Sequence, residues 1–346
     1  MRICHFLSSD TFAGIEQYVD EISNEQSHNN QVVIITNKSV LKKFNDNVSK
    51  IRFSSLGRNS PLGLLRLFFL IKEISPDIIH THAAKPTYMI NKIKSFFNAK
   101  HVATIHGVKK NLDEFDKADF ITVGNATYLD RLKNKNKLVI SNWALDPISY
   151  DPGSRKEYFL AIGRLVKEKG FDILIDAWKD IDEKLIILGS GRLKKNLLKQ
   201  IKDTSQESKI FIEESVSKNE IDEFYSRAKM LIISSRREGG PRVALEALLR
   251  GIKVISTKVG HMPDILDGRY LCNPDSLDDF SKLLKNSINQ ISTIDQSSAY
   301  EKVRADFTFT KANNSLLSIY TNLLDCLLYT SPSPRDRSLS RMPSSA

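Results

Sequence analysis

The sequence predicts an α/β fold in which two domains, each built on a parallel β-sheet, face each other across a cleft. Three observations support this prediction. Short runs rich in β-branched residues alternate with helical stretches along most of the chain, which is typical of βαβ units and parallel sheets. The alternation breaks at residues 146–154, which contain two prolines and a glycine without periodicity. The length of 346 residues also suits two domains.

Both halves of the chain show the same architecture. We therefore expect two Rossmann-like domains, over residues 1–147 and 155–305. Helical patterns separate several of the strands, as at 62–73 and 85–97. The predicted strands lie at 3–7, 32–36, 51–56, 77–82, 101–105, 120–123 and 138–141 in the first half, and at 158–163, 184–188, 210–212, 230–234 and 253–257 in the second.

The end of the chain divides into two parts. Residues 306–325 are predicted to be helical after an interruption at 307–309, with apolar side chains suited to packing on a domain surface. Residues 326–346 resemble a translated sequencing adapter followed by Ser-, Arg- and Pro-rich sequence, and a genuine disordered tail is the alternative. We exclude 326–346 from the fold prediction.

Composition limits the location and partners of the protein. Three cysteines, far apart and odd in number, favour a reduced cytoplasm, and the segment before the first strand is too short for a signal peptide. No apolar run is long enough to cross a bilayer. The net charge of +10 suits phosphorylated substrates or an anionic membrane face. We do not expect nucleic acid as a partner, because the sequence contains no motif for it.

Two glutamates, Glu238 and Glu246, occur where a predicted strand at 230–234 passes into a helical pattern at 241–249. The pair Gly239-Gly240 between them allows a sharp turn. Ligands in open α/β sheets bind at this carboxyl edge, where two carboxylates can hold the vicinal hydroxyls of a sugar or ribose. The alternative is a solvated loop glutamate beside a glutamate on a helix surface. The spacing alone favours that alternative, whereas the motifs around these two glutamates favour a ligand-binding role.

A basic loop at residues 163–170 follows the first strand of the second half and precedes a helical pattern at 171–178. It contains Gly163, Arg164 and Lys169. A helix N-terminus favours anions, Arg can clamp phosphate with two hydrogen bonds, and Lys supplies a point charge, so the loop suits a diphosphate. Its spacing is not that of a P-loop. A solvated basic turn is the alternative.

The strand–glycine–helix arrangement recurs one unit later at Gly189-Ser190-Gly191. The order of these motifs resembles family 4 glycosyltransferases (glycosyl transferases group 1), which are retaining enzymes of the GT-B fold. The resemblance extends over most of residues 1–325. The segments that carry it are 12–16, 77–82, 104–107, 140–142, 163–170, 189–191, 238–246 and 307–309.

The resemblance implies roles for individual residues. Arg164 and Lys169 would bind the diphosphate of a nucleotide-sugar donor and stabilise the leaving nucleotide. Glu238 would contact the donor sugar, Glu246 would accept hydrogen bonds from the ribose hydroxyls, and His106 would face the reacting sugar. These assignments make Glu238, His106, Arg164 and Lys169 the candidate catalytic residues.

The resemblance also implies a set of donor-binding positions around these side chains. Gly14 would let the backbone of the first loop approach the phosphates, and the backbone near Ile212 would meet the base. His80 and His82 are expected to be structural or to support residues that contact the ligand. The remaining donor-binding positions are Gly163, Gly189, Gly239 and Gly240.

We expect no metal ion and no cofactor, with the nucleotide-diphosphate sugar serving as donor substrate. Two fixed cations and a helix N-terminus can stabilise a departing diphosphate without a metal. Asp180-Ile181-Asp182 matches the Asp-x-Asp metal motif of another glycosyltransferase fold, but the prediction places it at the opposite edge of the sheet. The sequence shows no His/Cys cluster with metal-ligand spacing.

The acceptor is expected to be a glycan or a lipid-linked molecule, with peripheral contact to an anionic membrane at its inner face. This expectation rests on the basic charge and on the resemblance. Two alternatives share the fold: a sugar-nucleotide 2-epimerase, and a non-catalytic nucleotide-sugar-binding protein. The chain departs from the family pattern where Gly240-Pro241 replaces a frequent Phe-Gly and where Trp143 replaces a usual Gly.

Overall fold

The computed structural model confirms an α/β protein with two parallel sheets, one in each half of the chain. It describes residues 1–10, 12, 14–54, 57–107, 111–144, 151–214, 216–217 and 220–330, with the backbone alone described for 326–330. Within these residues both sheets follow the doubly wound pattern, in which the strand order reverses direction beside the first strand of each domain.

The first domain contains a seven-stranded parallel sheet of order β3-β2-β1-β4-β5-β6-β7. Its strands are β1 (Arg2–Leu7), β2 (Gln31–Thr36), β3 (Ser49–Arg52), β4 (Ile78–His82), β5 (Lys100–Ile105), β6 (Phe120–Val123) and β7 (Lys137–Val139). The helices are α1 (Gly14–Ser27), α2 (Lys38–Leu41), α3 (Pro61–Ile74) and α4 (Ala84–Ile93), with 3₁₀ turns at Lys94–Phe96, Phe115–Lys117 and Ala126–Arg131.

The second domain contains a six-stranded parallel sheet of order β10-β9-β8-β11-β12-β13. Its strands are β8 (Tyr158–Ile162), β9 (Leu185–Leu188), β10 (Ile210–Glu213), β11 (Ala228–Ile233), β12 (Lys253–Thr257) and β13 (Leu271–Cys272). The helices are α5 (Phe171–Ala177), α6 (Lys194–Asp203), α7 (Ile221–Arg227), α8 (Arg242–Leu249), α9 (Met262–Ile265), α10 (Leu277–Asn289), α11 (Ser297–Asp306) and α12 (Phe309–Thr330), with 3₁₀ turns at Lys167–Lys169, Gly268–Tyr270 and Ile291–Thr293.

The first sheet is buried on both faces because successive side chains of a strand point to opposite sides. In β1, Ile3 and Leu7 join one hydrophobic cluster, while Cys4 and Phe6 join another. The cluster that contains Ile3 also includes side chains from α1 and α12. Helix α12 therefore packs back onto the first domain after the chain has completed the second, as the sequence predicts for 306–325.

The element boundaries differ from the sequence prediction in several places. Strand β3 lies at Ser49–Arg52, earlier than the predicted 51–56, and residues 55–56 fall outside the described part of the chain. The short β13 has no counterpart in the prediction because two residues are too few to show alternation. Helix α12 runs to Thr330, past the expected boundary at 325, and 331–346 lie outside the described residues.

Helix α8 begins one residue later than predicted. Pro241 has φ −71° and ψ 106°, an extended conformation, and is the N-cap of the helix instead of its first residue. Gly14, predicted on a loop, is the first residue of α1. Among the residues that the structure describes, no helix combines the length and the apolar character needed to cross a bilayer.

Candidate active site at the interdomain cleft

The predicted donor-binding loops lie side by side. Strands β9, β8 and β11 are neighbours in the second sheet and all run in parallel. Their carboxyl ends therefore meet at one edge. The loops that leave this edge are 163–170 after β8, 189–193 after β9 and 234–241 after β11. Sequence motifs far apart in the chain thus converge on a single site.

Lys169 and Glu238 form an ion pair at this edge. The Lys169 ammonium donates to the Glu238 carboxylate in a short hydrogen bond, and the two side chains are only 19% and 14% exposed. The Ser235 hydroxyl donates to the same carboxylate oxygen over 2.7 Å. The sequence assigned these two residues to different parts of the donor, the diphosphate and the sugar. The structure places them in direct contact, so a donor bound here would meet both together.

Arg236 fixes the loop that carries Glu238 against the loop that carries Lys169. Its guanidinium binds Asp172 with two hydrogen bonds of 2.6 and 2.8 Å and also reaches Asp275. The hydrogen bond from Arg236 to Asp172 is the main cause that raises the pKa of the guanidinium. The backbone N–H of Arg236 donates to the Glu168 carbonyl over 2.8 Å. These charge-assisted contacts join the backbone segments that carry Lys169 and Glu238.

Glu246 lies in the second turn of α8, as predicted. The Tyr225 hydroxyl donates to its carboxylate over 3.0 Å. Burial, followed by the charge of Glu246, raises the pKa of Tyr225 well above its usual range, so the phenol remains a donor. One Arg250 nitrogen donates to the Glu246 carbonyl over 3.0 Å, and the same guanidinium is paired with the buried Asp222. The pair of Arg250 with Asp222 thus anchors helix α8 to helix α7, and the Glu246 side chain stays partly exposed.

Two of the predicted glycine positions have different physical reasons. A Cβ on Gly189 would lie 1.9 Å from the Gly163 carbonyl oxygen, so this glycine allows two backbone segments to approach each other. Gly14 is exposed, and a Cβ there would meet nothing within 4 Å. Protein packing therefore explains the glycine at 189. It does not explain Gly14, where the open space leaves room for a ligand to approach the backbone.

Gly239 and Gly240 contact the first domain directly. The Asn125 amide donates to the Gly239 carbonyl over 2.6 Å, and the Asn142 amide donates to the Gly240 carbonyl over 2.8 Å. A Cβ on Gly239 would lie 2.5 Å from the His106 carbonyl oxygen. The absence of a side chain on Gly239 therefore lets His106 and the Glu238 loop approach each other across the cleft, whereas a Cβ on Gly240 would lie 2.5 Å from the His261 ring of its own domain.

A second contact across the cleft involves residues that the sequence analysis did not identify as site residues. Arg242, the first residue of α8, donates to Glu21 of α1 over 3.0 Å. The Trp143 indole donates to the same Glu21 oxygen over 2.7 Å and packs beneath the Arg242 guanidinium, 5.3 Å from it. Trp143 is fully buried. The departure at 143 from the usual glycine therefore supplies an interdomain contact.

The last two predicted donor contacts are at the surface of the second domain. The Arg164 side chain is exposed on the basic loop. Ile212 lies in β10, the edge strand, and packs partly against the core of the domain. The Asp180-Ile181-Asp182 motif lies between α5 and the start of β9, at the opposite edge as predicted, where Asp180 pairs with Lys285.

A cluster of histidines behind His106 was not predicted from the sequence. His5 and His80 pair in register on the adjacent strands β1 and β4, and His82 lies two residues further along β4, so all three share one face of the sheet. Their ligand nitrogens lie within 4.8 Å of one another, a spacing that can hold a metal ion. Alternate histidines on neighbouring strands were the available signal, but it becomes visible only once the register is known.

Hydrogen bonds account for this cluster without a metal. His80 contacts the Tyr320 hydroxyl over 2.6 Å and the Thr104 hydroxyl over 2.5 Å. His5 and His82 contact each other over 3.0 Å, and each uses its other ring nitrogen for a further partner. A metal ion would need a lone pair from each ring and would break these bonds. The hydrogen-bonded arrangement satisfies every ring nitrogen of the three.

Two family models together match most of the chain. The Glycosyltransferase Family 4 model matches residues 12–142, and the Glycosyl transferases group 1 model matches residues 147–304. These two ranges correspond to the two domains of the structure. The boundary between them falls at the break that separates the two sheets.

Individual proteins resemble the chain in the same way. An uncharacterized glycosyltransferase of Methanocaldococcus jannaschii is 28% identical over 272 residues, which cover 74% of each chain. The amylovoran biosynthesis glycosyltransferase AmsD of Erwinia amylovora is 32% identical over 165 residues, covering 45% of this chain and 42% of that protein. The structure of HepE from Anabaena in complex with UDP-glucose superposes with a TM-score of 0.78 at 17% identity, covering 93% of this chain and 100% of HepE. This last similarity concerns the fold.

Proposed function

Because the chain belongs to the group 1 glycosyltransferases of the GT-B fold, we propose that it transfers a sugar from a uridine diphosphate sugar to a glycan or lipid-linked acceptor, with retention of configuration and without a metal ion. The observation that carries this proposal is the Lys169–Glu238 ion pair at the edge where three strand ends meet. HepE, a structural neighbour, binds UDP-glucose, which supports uridine as the base. AmsD, a relative in amylovoran biosynthesis, supports a polysaccharide acceptor.

The proposed reaction breaks the bond between the anomeric carbon of the donor sugar and the diphosphate oxygen, and forms a bond from the same carbon to the oxygen of an acceptor hydroxyl. The acceptor hydroxyl passes its proton to the departing diphosphate. The diphosphate departs with the electron pair, so negative charge develops on it. Lys169 and the exposed Arg164 lie on the basic loop where they can stabilise that charge. Glu238 binds hydroxyls of the donor sugar, and Glu246 binds the ribose. Departure and attack take place on the same face of the sugar, within the cleft closed by Gly239 and His106.

A screen of nucleotide sugars by thermal shift tests the donor. We expect UDP and UDP-sugars to raise the unfolding temperature, because a ligand that binds only the folded state stabilises it, and guanosine or cytidine diphosphate to raise it less. The Arg164→Ala variant should show a smaller shift with UDP. Arg269→Ala, which removes an exposed arginine of the same domain that pairs with the nearby Asp267, should match the wild type. A larger shift with another base would reassign the donor.

Turnover of the same donor in the presence of EDTA tests whether the reaction requires a metal ion. We expect UDP-sugar turnover to continue in EDTA, since the proposed stabilisation of the diphosphate uses fixed cations. Loss of turnover in EDTA that Mn²⁺ restores would contradict the metal-independent part of the proposal.

We also propose that the first domain contacts an anionic membrane through α3 and the 3₁₀ turn Lys94–Phe96 that follows α4. Helix α3 presents three large apolar side chains, Leu62, Leu65 and Phe69, which are each more than half exposed and lie on one stripe of the helix. Phe96 is 71% exposed and continues the patch, since both Phe69 and Phe96 touch the ring of Phe68. We call these four exposed residues the apolar face.

Basic residues surround the apolar face. Between positions 57 and 97 the chain contains six Lys or Arg and two Asp or Glu. Arg66 and Lys72 are exposed on α3 among the apolar side chains. An apolar patch with cationic neighbours is the pattern of proteins that lie at the surface of an anionic bilayer. Helix α3 is the first helix after β3, whose carboxyl end lies at the same edge of the sheet as the ends of its parallel neighbours. In this proposal a lipid-linked acceptor enters the cleft from that edge.

Vesicle co-sedimentation tests this membrane contact. We expect the protein to bind phosphatidylglycerol vesicles at low salt. We expect the Leu65→Glu/Phe69→Glu variant to bind them at least about tenfold more weakly, because it removes apolar contact and adds charge of the same sign as the vesicle. The matched control is Leu198→Glu/Leu277→Glu, which makes the same change of charge at two exposed apolar positions of the second domain. Equal loss in both variants would show that charge alone, and not the apolar face, drives binding.

A further inference from the structure

A chain of hydrogen bonds leads from His106, at the cleft, into the core of the first domain. His106 Nε2 contacts His82 Nδ1 over 2.9 Å, and His82 Nε2 contacts His5 Nδ1 over 3.0 Å. His5 Nε2 contacts the Gln26 side-chain oxygen over 2.9 Å. These hydrogen bonds therefore join the candidate active site to a single amide on α1, and His82 and His5 each use both ring nitrogens in the path.

Helix α12 holds the Gln26 amide in one orientation. The amide nitrogen of Gln26 donates to the Asn313 side-chain oxygen over 3.4 Å. It also hydrogen-bonds to the Tyr320 hydroxyl: burial raises the pKa of Tyr320, and the bond from Gln26 acts in the opposite direction, as a donor to a phenol oxygen does. With its N–H groups directed at α12, Gln26 presents only its carbonyl oxygen to His5.

The His5 and His82 rings, which lie inside this path of hydrogen bonds, are neutral near pH 7. Burial lowers the pKa of His5 to about 4, and burial followed by the neighbouring histidines lowers the pKa of His82 well below its ordinary value. A neutral imidazole carries one proton, so one of its nitrogens donates and the other accepts. If the group at one end of the path can only accept a hydrogen bond, it therefore sets the direction of every hydrogen bond in the path.

The Gln26 oxygen is such an end, because it can only accept. His5 must place its proton on Nε2, which leaves Nδ1 as an acceptor for His82. His82 must then place its proton on Nε2, which leaves its Nδ1 as an acceptor for His106. We propose that Gln26, through His5 and His82, fixes His106 in the tautomer that carries its proton on Nε2 and its lone pair on Nδ1.

This tautomer determines what His106 can do in the proposed reaction. While neutral, the ring gives its proton inward to His82 and can offer only a lone pair elsewhere. It can accept a hydrogen bond from a hydroxyl, which suits the orientation of a sugar, and it cannot act as a proton donor through Nδ1. Gln26, His5 and His82 are then positioning residues that act through His106. Asn313 and Tyr320 extend the same network to α12, the helix that returns from the second domain.

Nitrogen NMR of the histidine rings measures the tautomer directly. In protein labelled with ¹⁵N at histidine, the two ring nitrogens of a neutral tautomer resonate at separate positions, and the protonated one is identified by its couplings to the ring protons. The His106 signals are recognised by their loss in His106→Gln. We expect His106 to appear as the Nε2-protonated form in the wild type, together with two further rings of the same type. A His106 ring protonated on Nδ1, or averaged between both forms, would overturn the proposal.

Variants test the role of Gln26. Gln26→Met keeps the volume of the side chain but removes the acceptor, so we expect His106 to lose its single tautomer and turnover to fall by about tenfold, with little change in the donor KM. The matched control is Gln206→Met, because Gln206 is also 1% exposed and its amide donates to a backbone carbonyl over 3.0 Å in the second domain. We expect the control to leave both the His106 tautomer and the turnover unchanged.

The outcomes separate the inference from the proposed function. An unchanged His106 tautomer in Gln26→Met, or the same change in Gln206→Met, would show that Gln26 does not set the tautomer. The kinetic part rests on the proposed transferase activity, whereas the NMR part requires no substrate. Absence of turnover in the wild type would therefore contradict the proposed function. The NMR spectra alone would then decide the tautomer assignment.

Discussion

Replacing Lys169 or Glu238 with alanine is expected to lower the turnover of the nucleotide sugar by about 10²–10³-fold. In the proposed reaction, Lys169 supplies fixed positive charge at the place where the departing diphosphate becomes negative. In the same proposal Glu238 binds the donor sugar, and its ion pair with Lys169 holds the ammonium in position. Because the two groups act as one unit, we expect the double variant to be little worse than either single variant.

The measurement is steady-state release of the nucleoside diphosphate from the donor, with thermal unfolding recorded for each variant. The matched control is Lys167→Ala, which removes an exposed lysine from the same 3₁₀ turn and should leave turnover within about twofold of the wild type. Near-normal turnover in both Lys169→Ala and Glu238→Ala would contradict the assignment of this edge as the donor site.

Replacing Asp222 with alanine is expected to lower the free energy of unfolding by about 3–5 kcal/mol, because it leaves a buried guanidinium without its carboxylate partner. The Arg250 and Asp222 side chains are only 3% and 1% exposed, and two Arg250 nitrogens contact one Asp222 oxygen over 2.8 and 2.5 Å. Arg250 also donates to the Glu246 carbonyl, so we expect donor affinity to fall in the same variant.

Urea unfolding measures this loss of stability as a lower midpoint. The matched control is Asp180→Ala, which breaks the ion pair between Asp180 and Lys285. Both of these side chains are exposed, so the urea midpoint should stay unchanged. The control also tests the Asp-x-Asp motif, since we expect its turnover to equal that of the wild type. A midpoint for Asp222→Ala equal to that of the control would show that the buried pair does not stabilise the domain.

The fold was predictable because it depends on local patterns. The β-branched runs and the helices between them specified two parallel sheets, and the carboxyl-edge rule placed residues 163–170, 189–191 and 238–246 together. Strand ends were less certain, since they depend on partner strands. Strand β3 begins and ends earlier than the predicted 51–56 because it follows the register of β2, in which Thr36 pairs with Arg52 at the strand end.

The contacts across the cleft could not be predicted from one sequence. Arg242, Glu21 and Trp143 lie far apart in the chain, and their contact depends on how the two domains face each other. The bond between Lys169 and Glu238 likewise depends on side-chain geometry that motif spacing does not specify. The sequence predicted a ligand-binding role for each residue without indicating that the two side chains bind each other.

The histidine network illustrates the same difference. His80 and His82 were expected to be structural or to support residues that contact the ligand. The structure places them among His5, Tyr320 and Thr104 in a buried set of hydrogen bonds. Their alternate spacing indicated a shared face of a strand. The partner on β1 and the returning helix α12 became known only from the sheet register and the packing of the last helix.

Proton NMR of a UDP-sugar incubated with the protein tests the central claim most directly. We expect the anomeric signal of the donor to decrease while free UDP accumulates, by slow hydrolysis without an acceptor and faster with one, and we expect neither change with Lys169→Ala. Accumulation of an epimerised UDP-sugar would identify an epimerase instead. A donor that binds, as line broadening would show, but remains intact with every acceptor would contradict the proposed transferase activity.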